Sequence, residues 1–404
     1  MNVQVTTLPN NMKIITDSMP EVATVSLGVW VGVGTRHETP EINGVAHLVE
    51  HMLFKGTPTR SAFAISEQIE SVGGHMNAYT TREQTAYYAR VLKEDTGLAM
   101  DILADMLQNS LLDPQELDRE RTVIQQEIGQ TNDAPDDIIH DHLQAISFPG
   151  QTLGMPVLGS PQVIGSLPRE SLSAWLQHYA GSRMVLVASG HVHHEQIVEM
   201  AARAFARLPR ESVQRTDPAV WSGGDFRENR TLEQLHLVFG FQGPGYHDPD
   251  YYTVSILSTL LGGGMSSRLF QEVREKRGLV YSIHTFSSAF EDGGLFGIYA
   301  GTGPEHAAEL IPVVCDELQK VENDLTEAEF ERARAQLRAG ILMGLESTAA
   351  RSEHLGQSTL IHGRPVLPEE TLAKLAAVTP ADVKRAIHRL VRSPLSFAAI
   401  GPVS

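Results

Sequence analysis

The constraint that most limits how this chain can fold is that it carries the same pattern twice. Leu112-Asp113-Pro114-Gln115-Glu116-Leu117-Asp118-Arg119 returns 213 residues further on as Leu325-Thr326-Glu327-Ala328-Glu329-Phe330-Glu331-Arg332. Each copy opens a helix, with Asp113 or Thr326 placed to cap it. A second pair of segments agrees. From Val25 to Val33 an apolar Val or Leu stands at every second position, the alternation of a strand with one face on a core, and a helix follows. Leu235-His236-Leu237-Val238-Phe239-Gly240-Phe241 opens a similar text, followed by a His-Asp-Pro turn and a helical stretch ending in Gly262-Gly263-Gly264. Between the copies, residues 209–230 lose this periodicity and hold Pro209, Pro218, Gly223 and Gly224 among charged residues, the composition of an exposed linker. The expected layout is therefore an N-terminal domain over 1–208, a linker over 209–230 and a homologous C-terminal domain over 231–404. Short strands mixed with amphipathic helices in each half predict an α+β fold of two structurally similar halves. Each half is a largely antiparallel sheet packed with helices rather than a regular βαβ alternation.

Composition narrows the function classes. The formal net charge is −17, with 32 Lys and Arg against 49 Asp and Glu, which speaks against a nucleic-acid partner because phosphate binding needs a clustered basic surface. No stretch approaches the roughly 20 uninterrupted apolar residues of a membrane span. The opening Met1-Asn2-Val3-Gln4-Val5-Thr6 has neither a basic region nor an apolar signal segment, so no membrane association and a cytoplasmic location are expected. Cys315 is the single cysteine; any metal must be held by nitrogen and oxygen ligands.

Chemistry concentrates in Gly44-Val45-Ala46-His47-Leu48-Val49-Glu50-His51-Met52-Leu53-Phe54. Apolar residues at 45, 48, 49, 52 and 53 make the stripe of a core-packed helix. At about 100° per residue, His47, Glu50 and His51 fall together on the other face. Two imidazoles four residues apart can grip one cation, and the carboxylate between them can reach a water beside it. A catalytic zinc site needs a third protein ligand, and Glu127 is the obvious candidate. Glu120, two helical turns before it, could orient a ligand histidine through its other ring nitrogen. Two other histidine clusters, His191-Val192-His193-His194 after a strand and His140-Asp141-His142 on an expected helix, are not read as metal sites, because an i, i+2 pair points to different sides of a helix and no spaced carboxylate accompanies the first.

His-x-x-Glu-His with a Glu 76 residues beyond the second His, at position 127, resembles the inverzincin, or pitrilysin, family of metallopeptidases, in particular its processing-peptidase branch. The resemblance spans nearly the whole chain and includes the doubled layout. It implies one Zn2+ per chain held by His47, His51 and Glu127, with Glu50 as general base, and so makes 1–208 the catalytic domain. At the 213-residue offset Glu127 falls on Gly340, and no histidine lies between 253 and 262, so the second half carries no copy of the motif.

Further positions enter through the same resemblance. Gly73-Gly74-His75-Met76-Asn77-Ala78-Tyr79-Thr80 is similar to the family's substrate-binding strand, which makes Asn77 and Ala78 the expected binding residues; the other reading is a strand with a glycine hairpin. Gly262, Gly263 and Gly264 resemble the family's glycine-rich loop, implicated in substrate handling. Arg274 and Tyr281 match an arginine and a tyrosine that reach the zinc site from the C-terminal half, where they could hold a carbonyl and a developing oxyanion. Asp137 and Asp141 match acidic positions that bind arginine in processing peptidases; alternatively they are a solvated helix face.

The function so implied is an endopeptidase acting on peptides or unfolded, presequence-like segments. Its partner would be a second copy of the chain that completes each active site in trans. The rival readings are a non-catalytic core subunit of the same fold and a catalytic subunit that needs a different partner chain.

Overall fold

The alternating segment around Val25 lies in the middle of a six-stranded sheet in this computed structural model, which describes residues 1–212 and 216–403. Positions 213–215, inside the stretch read as a linker, and Ser404 lie outside the described residues. The sheet is built from β1 (Val3–Thr7), β2 (Lys13–Ser18), β3 (Thr24–Val31), β4 (His75–Thr80), β5 (Thr85–Leu92) and β6 (Met184–Gly190), in the order β1-β2-β6-β3-β5-β4. Only the β2–β6 pair is parallel. A second sheet holds β7 (Gly224–Asn229), β8 (Leu235–Gly243), β9 (Val280–Ala289), β10 (Gly294–Thr302) and β11 (Ser396–Gly401), in the order β7-β11-β8-β10-β9. Its one parallel pair is β7–β11. Apart from β1, the two sheets follow the same path strand for strand, so the repeat read from the helix-opening octets extends to topology. The α+β expectation of two similar, largely antiparallel halves holds.

Both octets open helices by the expected caps. Asp113 Oδ1 accepts from the N–H groups of Gln115 and Glu116 at 2.9 and 3.1 Å, starting the helix Pro114–Asp133. Thr326 Oγ1 accepts from Glu329 N at 3.3 Å while Glu329 returns a carboxylate oxygen to Thr326 N at 3.1 Å, a capping box ahead of the helix Glu327–Gly344.

Two compact units result, and neither is one continuous stretch. The first comprises Met1–Gly129, Met155–Thr216 and Gly344–Leu367; the second comprises Gln130–Gly154, Asp217–Met343 and Pro368–Ser404. The helix after each repeated helix has therefore changed sides. In the first unit the helix Thr348–His362 lies on β3 and β6, where Leu355 packs with Ile15, Trp30, Val185 and Val187. Ser352 Oγ donates to Ser26 O at 2.9 Å, and Arg351 pairs at 3.1 Å with Asp17, which is wholly buried. In the second unit the helix Pro135–Ser147 lies on β8 and β11, with Ile138, Ile139 and Leu143 against Val238 and Leu295. Residues 224–229, within the stretch read as a linker, are β7: its half-buried Phe226 alternates with charged neighbours, and that weak pattern hides an edge strand.

The main core of the first unit fills the other face of its sheet, between the strands and the helices Val45–Leu53, Thr96–Asn109 and Arg169–Leu176. No helix among the described residues is long and apolar enough to cross a membrane.

Candidate metal centre

The helix Val45–Leu53 buries Val45, Ala46, Leu48, Val49, Met52 and Leu53, which leaves His47, Glu50 and His51 half-buried on its opposite side. Its start is fixed from outside. Gly44 stands at φ 95°, where a Cβ would meet Ile164 at 2.7 Å, and the buried carboxylate of Glu38 closes the first turn. One Glu38 oxygen accepts from Gly44 N at 2.8 Å and Asn43 Nδ2 at 2.9 Å, and the other accepts from Ala46 N at 2.8 Å. Two of the backbone N–H groups at this helix end are thereby satisfied, and the carboxylate lies at the positive end of the helix dipole. Burial pushes the Glu38 carboxyl up to about 7, with the three donors pulling the other way.

The facing helix Pro114–Asp133 buries Leu117, Glu120, Ile124 and Ile128 along one side, and Glu127 projects beside them. His47 Nε2 and His51 Nε2 lie 4.0 and 3.7 Å from Glu127 Oε2, and the two rings stand edge to face with centroids 4.6 Å apart. One ligand atom from each of the three residues falls within 4.8 Å of the others, the one such trio of His, Cys, Asp or Glu among the described residues. His51 Nδ1 sits 2.8 Å from Glu120 Oε2, and Lys55 Nζ lies 2.7 Å from the other Glu120 oxygen. Burial opposes ionisation of Glu120, but the hydrogen bonds from Lys55 and His51 outweigh it and hold its carboxyl below the ordinary value.

Two nitrogens and one carboxylate oxygen converging on a point are a donor set suited to zinc. Burial, reinforced by the charge of His51, pushes the His47 imidazole down to about 4, so it is neutral and offers its lone pair near pH 7. The residues present fit the ion. Glu50 stands beside the trio; Thr80 Oγ1 donates to its Oε2, and burial raises its carboxyl above the ordinary value against the pull of that bond.

The remaining expected residues divide between the two units. β4 is the edge strand, paired only with β5, so its outer edge carries no strand among the described residues. Ala78 packs toward the main core and Asn77 is exposed. The second unit carries the others. Gly262 closes the helix Tyr251–Gly262 against β9, where a Cβ would meet Thr285 N at 2.6 Å; Gly263 abuts Thr259, and a Cβ at Gly264 would lie 4.0 Å from Gln336 Nε2. Arg274 stands in the π-helical turn Phe270–Glu275, with its guanidinium 4.8 Å from the Phe270 ring centroid and 5.8 Å from that of Tyr281. Tyr281 is 74% exposed. Asp137 is exposed and Asp141 half-buried on the helix Pro135–Ser147.

The other histidine clusters are occupied with packing. His194 bridges Thr6 and Thr16 at 2.8 Å each, and His142 stacks on Phe226 with centroids 3.9 Å apart.

Sequence reasoning passed over Glu38, Lys55 and Thr80. Lys55 had a signal, four residues after His51 and so on its side of the helix; Thr80 stands two beyond Ala78 on the same strand face. Glu38 had none, because a carboxylate that caps from outside a helix leaves no period.

Two sheet-and-helix units of one topology, with a His-x-x-Glu-His helix faced by a glutamate in the first, define a chain of the metallopeptidase class. The chain belongs to peptidase family M16. The family's model "Insulinase (Peptidase family M16)" matches residues 13–161, and "Peptidase M16 inactive domain" matches residues 166–337. An uncharacterized zinc protease of Streptomyces coelicolor is 40% identical, the match covering 99% of this chain and 90% of the relative. Another from Bacillus subtilis is 35% identical over 98% of this chain and 97% of the relative. Among solved structures, a peptidase M16 inactive domain from Pseudomonas fluorescens superposes with a TM-score of 0.93 at 21% identity, covering 100% of this chain and 98% of that one. A protease from Helicobacter pylori gives 0.93 at 19% identity, covering 99% of each.

Proposed function

We propose that this chain is a zinc-dependent endopeptidase with one metal per chain, held by His47, His51 and Glu127. The observation that carries the reading is the convergence of two imidazole nitrogens and the Glu127 carboxylate beside Glu50, itself tethered by Thr80. Zinc bound there would polarise the scissile carbonyl and acidify water. Glu50 takes the proton of the attacking water and delivers it to the departing amine. Its raised affinity for a proton, caused by burial, suits both steps. The open edge of β4 at Asn77 and Ala78 holds the substrate as an added strand, so backbone hydrogen bonds bind peptides or unfolded segments without demanding a sequence. Asp137 and Asp141 add a preference for basic residues near the cleaved bond.

Arg274 and Tyr281 are assigned to the transition state, with the Tyr281 phenol donating to the oxyanion and Arg274 holding a substrate carbonyl. Their partner zinc is that of a second copy of the chain in a twofold dimer.

The deciding experiment is metal analysis with peptide digestion by the purified chain and its variants. Glu50→Gln should lose hydrolysis yet keep about one zinc per chain, whereas His47→Ala, His51→Ala or Glu127→Ala should lose the metal as well. Full activity in Glu50→Gln would discard the base, and wild-type zinc affinity after Glu127→Ala would remove that ligand.

A further inference from the structure

The carboxylate of Glu120 is engaged at both oxygens. His51 Nδ1 lies 2.8 Å from Oε2, and Lys55 Nζ lies 2.7 Å from Oε1. The Glu120 side chain is only 6% exposed, so little water competes for either oxygen. Lys55 follows the helix that carries His51, and its backbone N–H donates to Met52 O at 3.1 Å, which ties the root of its side chain to that helix end. The relay is therefore closed: the helix supplies the ring to be oriented, and the turn tied to its C-terminal end supplies the ammonium that holds the orienting carboxylate.

We propose that Lys55 is a positioning residue of the metal centre, acting through Glu120 to fix the His51 ring. The inference rests on the zinc reading of the site. A carboxylate held at one oxygen can still swing about its last side-chain torsion; a second donor on the other oxygen fixes its plane. His51 Nδ1 then meets a stationary acceptor, and Nε2 keeps its aim. Charge alone predicts the opposite effect. An ammonium near a dication repels it, so removing Lys55 would tighten zinc binding if charge were its only contribution.

Zinc affinity, measured by competition with a chromophoric chelator, separates these cases without any assay of activity. Lys55→Met, which keeps the stem and removes the ammonium, should weaken zinc binding about 10- to 100-fold, and Lys55→Arg should stay within about threefold of wild type. In a Glu120→Gln background, Lys55→Met should change affinity less than about twofold, since its route to the ring is already broken. A lesion that merely loosens the helix end would instead weaken binding by the same factor in both backgrounds. Unchanged or tighter binding in Lys55→Met, or equal losses in both backgrounds, overturns the role of Lys55. Should the wild type bind no zinc, or His51→Ala bind it equally well, the metal reading itself fails and this inference with it.

Discussion

The hydroxyl of Thr80, the last residue of β4, donates to Oε2 of Glu50 on the neighbouring helix. This bond joins the strand proposed to receive substrate with the proposed base and holds one carboxylate oxygen. Thr80→Val, nearly the same shape without the hydroxyl, should lower kcat about 10- to 100-fold with zinc content unchanged, because a base displaced by an ångström loses about that much. Thr80→Ser should recover most of it. A Thr80→Val enzyme with wild-type kcat would show that Glu50 needs no such tether.

Glu38 links pH to stability. Its carboxyl is raised from 4.5 to about 7 in the folded chain by burial, so the folded state holds the proton more tightly than the unfolded one. The resulting stabilisation is complete below about pH 4.5 and is lost as pH rises through about 7, a change of about 3 kcal/mol. Urea unfolding of wild type and Glu38→Gln across this window should show the wild type's relative stability falling with pH. A relative stability that climbs instead would mean that Gly44, Ala46 and Asn43 outweigh burial.

Two helical glycines should respond oppositely to alanine. A Cβ at Gly356 would sit 2.3 Å from the Trp30 ring, whereas one at Gly340 meets nothing within 4 Å. Overpacking costs about 1–3 kcal/mol and exceeds the helix-propensity gain of about 1 kcal/mol, so Gly356→Ala should destabilise and Gly340→Ala should stabilise by up to about 1 kcal/mol. Thermal melts of the two variants test this, and stabilisation by Gly356→Ala would contradict the close packing of Thr348–His362 on Trp30.

For substrate choice, the double variant Asp137→Asn with Asp141→Asn should reduce the ratio of rates on peptides bearing Arg to those bearing neutral residues two positions before the cleaved bond. An unchanged ratio places the basic subsite elsewhere.

Shared sites have a complementation signature. Glu50→Gln and Tyr281→Phe should each be nearly inactive, the second by on the order of 10²–10³ through loss of an oxyanion donor. In a mixed dimer with sites completed in trans, both lesions fall in one site and the other is intact, so co-expression should restore substantial activity. Verified mixed dimers without recovery would assign Tyr281 to its own chain.

The motif helix was legible because its apolar stripe has a clean helical period and its polar face holds only chemistry. The equivalence of the halves was legible because the capping octets are local signals. Where Thr348–His362 and Pro135–Ser147 pack was not: periodicity reports that a helix has an apolar face, not which sheet covers it. β7 was missed for a related reason, since Phe226 among Asp225, Arg227 and Glu228 leaves too little alternation to distinguish an edge strand from a loop. The spacing of Lys55 from His51 puts it on the side of the motif helix but does not announce the Glu120 carboxylate it meets, and nothing in the sequence neighbourhood of Glu38 announces the amides that it accepts from.

The exchange of helices has a consequence for synthesis. When β6 leaves the ribosome all six strands of the first sheet exist, but the element that covers Ile15, Trp30, Val185 and Val187 is still uncoded as far as the nascent chain is concerned. At about 5–20 residues per second, the interval from Gly190 to Thr348 lasts on the order of ten seconds. For that time the sheet presents a bare apolar face, long beyond the microseconds in which chains collapse. Any translation product that stops before Thr348 keeps that face permanently exposed, so premature termination should yield chaperone-bound or aggregated fragments rather than a working N-terminal half.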